Sequence, residues 1–119
     1  MGLFTAGCPE VINVTLTENV RNDWSELGQI YKRMGSCGGH PYWEDAFGRA
    51  IWLDTHIYSN WIIGYLDDLG TDNAVFTEKT GKSSECPTEE NLEWYYYHLN
   101  NYSDWQPAGK KISVDSYEV

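Results

Sequence analysis

Eighteen aromatic rings in 119 residues constrain this chain more than any other feature: six Trp, nine Tyr and three Phe, 15% of the sequence. A buried aromatic side chain hides roughly 150–250 Å² from water. A chain of this length suits one domain with one core. Most of the rings must therefore be interior, and only a few are spare for binding. The expected unit is a single domain over residues 1–119, with 1–9 as an N-terminal tail.

Period-two patterning dominates the rest of the reading. Ile12, Val14 and Leu16 alternate with Asn13, Thr15 and Thr17, which is the mark of a half-buried strand. A strand is also expected around residues 29–33, although a short helix from Asp23 or Ser25 competes for residues 24–34; Gly28 argues for the strand. Residues 35–41, rich in glycine and ending at Pro41, read as a loop. Strands follow from Tyr42, over 49–55 and over 61–66, the last two forming a hairpin. An acidic turn over 67–73, a short strand over 74–77 and a polar loop over 79–90 come next. Residues 89–99 carry both a helix-start signal at Thr88 to Asn91 and four successive aromatics that favour a strand. Residues 112–114 close the chain as a last strand. The expected fold class is all-β and mainly antiparallel: a small sandwich or compact barrel of about seven to eight short strands, with room for one short helix.

Charge and cysteine usage narrow the function. Hydrophobic residues make up 41% and charged residues 22%, which is globular rather than disordered. The net charge is −10, so nucleic acid and anionic membrane surfaces are disfavoured partners. No 18-residue apolar run is present, so membrane insertion is not expected. No signal peptide is visible, and Ala6 stands where a myristoylation motif wants Ser or Thr. Three cysteines, Cys8, Cys37 and Cys86, allow at most one internal disulfide in three possible pairings. With two sequons, at Asn13 and Asn101, they favour an extracellular setting over a cytoplasmic one.

Gly28, Tyr31, Gly35, Gly39-His40-Pro41, Trp43, Trp52, Trp61-Ile62-Ile63-Gly64, Cys86-Pro87, Trp94, Trp105 and Val114 occur in an order that resembles small aromatic-rich repeat modules of large extracellular proteins from marine invertebrates and some unicellular eukaryotes. The resemblance covers about residues 12–114. That family has no settled activity, so it implies no catalytic residues. Its modules often end in a strand whose cysteine can partner the Cys-Pro one. The final strand here has none, so the resemblance leaves Cys8 or Cys37 as the internal partner of Cys86.

The candidate ligand-binding residues are Trp94, Tyr95, Tyr97, His98, Tyr42 and Trp105. In a strand, Trp94, Tyr96 and His98 share one face and Tyr95 and Tyr97 the other. One face then serves the core, while the other offers rings of the kind that dominate binding hot spots. Ordinary packing is the competing account of these rings, and it is the leading account for Trp43, Trp52 and Trp61. Asp67, Asp68, Asp72 and Asn73 offer oxygen ligands for Ca²⁺, but the EF-hand pattern is not met and a solvated turn is the default; no cofactor and no metal site are expected. No nucleophile elbow, HExxH or phosphate loop occurs, and Cys37 near His40 is the one enzyme-like fragment. The expected function is a non-catalytic recognition module for a carbohydrate or small planar ligand. A structural or adhesive module with a protein partner, or self-associating, is the alternative, and a small hydrolase is a distant third.

Overall fold

The computed structural model describes residues 7–16, 29–55, 59–79, 85–89, 92–97, 105–109 and 112–117, with Tyr97 described by its backbone alone. Nine strands occur among them: β1 (Val11–Leu16), β2 (Gln29–Cys37), β3 (His40–Glu44), β4 (Arg49–Asp54), β5 (Asn60–Tyr65), β6 (Phe76–Glu78), β7 (Trp94–Tyr97), β8 (Trp105–Pro107) and β9 (Ile112–Ser116). The one helical element described is a 3₁₀ turn, Leu66–Asp68. All the strands belong to one antiparallel sheet in the order β8-β7-β6-β5-β4-β3-β2-β1-β9. The fold is therefore all-β, as the sequence indicates, with one curled sheet in the shape of a half-barrel.

The connection from β8 to β9 shows why the sheet curls. These two strands are the opposite edges of the sheet. Nine strands laid flat at ~4.8 Å spacing would separate the edges by about 38 Å. The chain passes from Pro107 to Ile112 across residues 108–111, a link that reaches at most about 18 Å when fully extended. The two edges must therefore approach each other, and the sheet bends around its inner face. Ala108 is buried inside that bend, and its N–H donates to the Trp94 carbonyl at 2.8 Å.

The inner face holds the core. Ile12, Val14 and Leu16 of β1, Tyr31 of β2, Trp43 of β3, Ile51 and Leu53 of β4, Trp61 and Ile63 of β5, Phe76 of β6 and Trp94 and Tyr96 of β7 form one apolar cluster with Ile112 and Val114 of β9. Trp43 and Trp61 meet edge to face, with ring centroids 5.8 Å apart. The Trp43 indole N–H donates to the Pro9 carbonyl at 2.9 Å, so this indole is satisfied by the N-terminal segment. That segment is also fastened covalently, by a disulfide between Cys8 and Cys86. Of the three possible pairings, this is the one formed, and Cys37 is free. Residues 8 and 9, placed in a tail by the sequence, are thus tied to the sheet.

Part of the outer face is covered as well. Ala50, Trp52 and Ile62 are buried there against Tyr42, Leu66, Leu69 and Ala74. The acidic segment after β5 folds back over β4 and β5, and Trp52 donates its indole N–H to the Thr71 carbonyl at 3.0 Å. A Cβ at Gly64 would stand 3.0 Å from Trp52 Cη2 and 3.2 Å from the Asn73 carbonyl oxygen. Glycine at this position lets the indole and the loop lie flat on the sheet. Trp61-Ile62-Ile63-Gly64 is accordingly buried on both faces.

One local expectation is corrected, one strand is added and two open alternatives are resolved. The loop expected at 35–41 is a hairpin turn of two residues, because Gly38 and Gly39 both take positive φ (62° and 84°) and the ladder continues through Cys37↔His40 and Ser36↔Pro41. In such a hairpin the flanking pair is hydrogen-bonded and the next is not. Pro41 therefore sits where β2 needs no N–H from it. Residues 105–107, not recognised as a strand, pair with β7. The helical alternatives for residues 29–34 and 94–97 give way to β2 and β7; residues 24–28 and 98–99 lie outside the described residues.

Candidate functional site

Alternation along β7 sorts the candidate rings. Trp94 and Tyr96 are buried on the inner face, 7% and 8% exposed, so Trp94 belongs to the core and not to a binding surface. Tyr95 points the other way and is half-buried. It pairs with Thr77 on one side and Pro107 on the other. Trp105, also half-buried, pairs with Tyr97 and so occupies the same outer face, two residues along from Pro107. His98 lies outside the described residues, and Tyr97 is placed by its backbone.

Lys79 joins Tyr95 and Trp105 into one patch. Two residues beyond Thr77, it shares their face, and its Nζ lies 5.4 Å from the Tyr95 ring centroid and 5.1 Å from that of Trp105. Both distances fall within cation–π range. Its backbone N–H donates to the Glu93 carbonyl at 2.9 Å, which extends the β6–β7 ladder by one rung. Sequence reasoning missed Lys79, because it sits in a stretch read as a polar loop. The signal was present in the period-two spacing from Thr77, once β6 is extended past Phe76.

Tyr42 is elsewhere. It packs against the outer cluster around Trp52 and donates its hydroxyl to Glu44 Oε2 at 3.2 Å. Burial and the neighbouring Glu44 carboxylate raise its phenol above the ordinary value. Four strand spacings, about 19 Å, separate β3 from β7, and the segment from Leu66 to Ala74 covers the sheet between them. Tyr42 and the Tyr95–Trp105 patch are separate features.

Several polar groups are buried near the rings. Glu78, wholly buried at the end of β6, accepts the Trp61 backbone N–H at 3.2 Å. Asp45 closes the β3–β4 turn: its Oδ1 accepts the N–H groups of Phe47 and Arg49, both at 2.9 Å, and its Oδ2 pairs with Arg49 Nε at 2.8 Å. Tyr31 Oη, close enough to feel both charges, is buried without a hydrogen-bond partner among the described residues. Burial, with the Asp45 charge adding and Arg49 opposing, drives its phenol well above the ordinary value.

Among the described residues, no three His, Cys, Asp or Glu side chains are gathered to hold a metal. Asp67 and Asp68 lie in or beside the 3₁₀ turn, where Thr71 donates its hydroxyl to the Asp68 carbonyl at 2.7 Å. Cys37 and His40 flank the Gly38-Gly39 turn as ladder partners. No helix among the described residues is long and apolar enough to cross a membrane. An open groove of about 680 Å³ runs beside the disulfide, lined by Pro9, Glu10, Cys86, Glu89, Ser116 and Tyr117 among others.

Neither a scan against protein-family models nor searches of curated proteins and of solved structures find a match to this chain.

Proposed function

We propose that this chain is a non-catalytic recognition module that holds a carbohydrate or small planar ligand against the outer face of β7 and β8. The observation that carries the reading is the pair of half-buried rings, Tyr95 and Trp105, set on one sheet face with a lysine ammonium over both. Sugars present C–H faces that stack on such rings, and the rings lose little side-chain entropy on binding. The scaffold is suited to the task because the opposite face of β7 is locked into the core through Trp94 and Tyr96. An extracellular setting is part of the proposal, supported by the Cys8–Cys86 disulfide, and so is the resemblance to aromatic-rich extracellular modules.

A glycan array tests the reading. The wild-type chain is expected to retain a defined set of glycans, and Tyr95→Ala and Trp105→Ala are each expected to lose them with melting behaviour little changed. Binding that survives both substitutions would refute it.

A protein partner is the second reading, and the groove beside the disulfide favours it. Glu10 and Glu89 line it together with Tyr117, which is 45% exposed. A basic segment of a partner, or of another copy, fits that chemistry. Pull-down from the source organism with the wild type and with Tyr117→Ala separates this reading from the first.

A further inference from the structure

The patch on β7 and β8 carries a more specific chemistry than aromatic stacking. Resting on the reading above, we infer that its ligand is an acidic sugar: a pyranose ring bearing a carboxylate or sulfate, with the anionic group on Lys79 and the ring packed beside the ammonium against the parts of Trp105 and Tyr95 that Lys79 leaves uncovered.

The argument starts from charge. The chain has eight Lys and Arg against eighteen Asp and Glu, so an available cation is scarce. Arg49 spends its charge on Asp45, in a pair that is nearly sealed from water. Lys79 is different. It is exposed, and its ammonium lies over the Tyr95 and Trp105 rings, 5.4 and 5.1 Å from their centroids, with no ion pair to a carboxylate of the described residues. Even Glu93, across the ladder, offers its backbone carbonyl to Lys79 and not an ion pair.

Aromatic contacts satisfy an ammonium only in part. They hold it by the ring quadrupole and leave its three N–H donors for other acceptors. A carboxylate or sulfate oxygen supplies the missing acceptors and makes the stronger, charge-assisted kind of bond. The rings on either side place that anion next to an apolar stacking surface. A neutral sugar would use the rings and leave the ammonium to water. A long polyanion would meet the net charge of −10 beyond the patch and be repelled. One anionic group on a stacked ring is the ligand that answers both constraints.

Isothermal titration of the full, disulfide-bonded chain tests this with β-linked glucuronate disaccharides, 6-sulfated galactosides and the neutral parent of each. The acidic form is expected to bind about tenfold more tightly than its neutral parent, the usual scale for one charge-assisted contact. Lys79→Met should erase that difference, while Lys79→Arg should keep it; the exposed position leaves the fold intact, which thermal melts verify. Equal affinity of the wild type for acidic and neutral forms overturns the inference while leaving the recognition reading standing. Binding of no sugar, or sugar binding indifferent to Tyr95→Ala and Trp105→Ala, overturns both.

Discussion

Trp61 shows at single-residue scale what the interior rings do. Its indole is fully buried, meets Trp43 edge to face, and sits where Glu78 accepts the backbone N–H of the same residue. Trp61→Ala would leave a large void in a core that cannot collapse to fill it, so a loss of about 3–5 kcal/mol is expected in denaturant titrations. Tyr31 makes a different case. Its hydroxyl is buried without a partner among the described residues, and burial holds its phenol above its ordinary value of 10.0. A raised folded-state value means that the native chain keeps a proton the unfolded chain gives up. The stability this contributes is complete below about pH 10 and drains away as the pH climbs above it. Tyr31→Phe removes the term. Against wild type, the variant is expected to gain relative stability above pH 10, as read by chemical denaturation from pH 7 to 11. A constant difference over that range would mean that Tyr31 is not the buried, neutral group described.

At the scale of elements, Gly64 and the turns decide the architecture. The Cβ of Gly64→Ala would press on the Trp52 ring and on the Asn73 carbonyl oxygen. The loop over β4 and β5 must then shift, and a cost of about 1–3 kcal/mol is expected, with faster hydrogen exchange at the Trp52 indole as the local signature. Much of this was legible in the residues. The alternation of Ile12, Val14 and Leu16, the hairpin of β4 and β5 and the double burial of Trp61 to Gly64 all follow from pattern, because each strand face has one clear environment. The turn at Gly38-Gly39 was harder, since Gly35 and Pro41 also look like loop residues. Gly35 instead follows a bulge between Arg33 and Gly35, and Pro41 falls at a non-bonded rung. Residues 105–107 escaped notice because three residues carry too little periodicity to identify a strand.

For the whole molecule, closure depends on contacts distant in sequence. The disulfide joins residues 78 positions apart and holds Pro9 against Trp43. Loop-closure entropy at that separation is worth about 4.5 kcal/mol. Replacing both Cys8 and Cys86 by Ser is expected to lower the denaturation midpoint accordingly, and thiol reductant should do the same to the wild type. Cysteine count alone could not select this pairing, because the partner lies in a segment that looks like a tail. The candidate site was legible only in part for a similar reason. Alternation correctly set Tyr95 apart from Trp94, but it could not say that Tyr42 lies four strands away or that Lys79 stands beside Tyr95 and Trp105. Those relations come from strand order and register, which no local pattern encodes.

Indole hydrogen exchange, followed by NMR on the uniformly ¹⁵N-labelled chain, tests the division of rings between scaffold and surface most directly. Trp43, Trp52 and Trp61, each 0% exposed, should exchange only through global unfolding, orders of magnitude more slowly than the half-buried Trp105. Rapid exchange at the three central indoles, or protection of Trp105 equal to theirs, would contradict it.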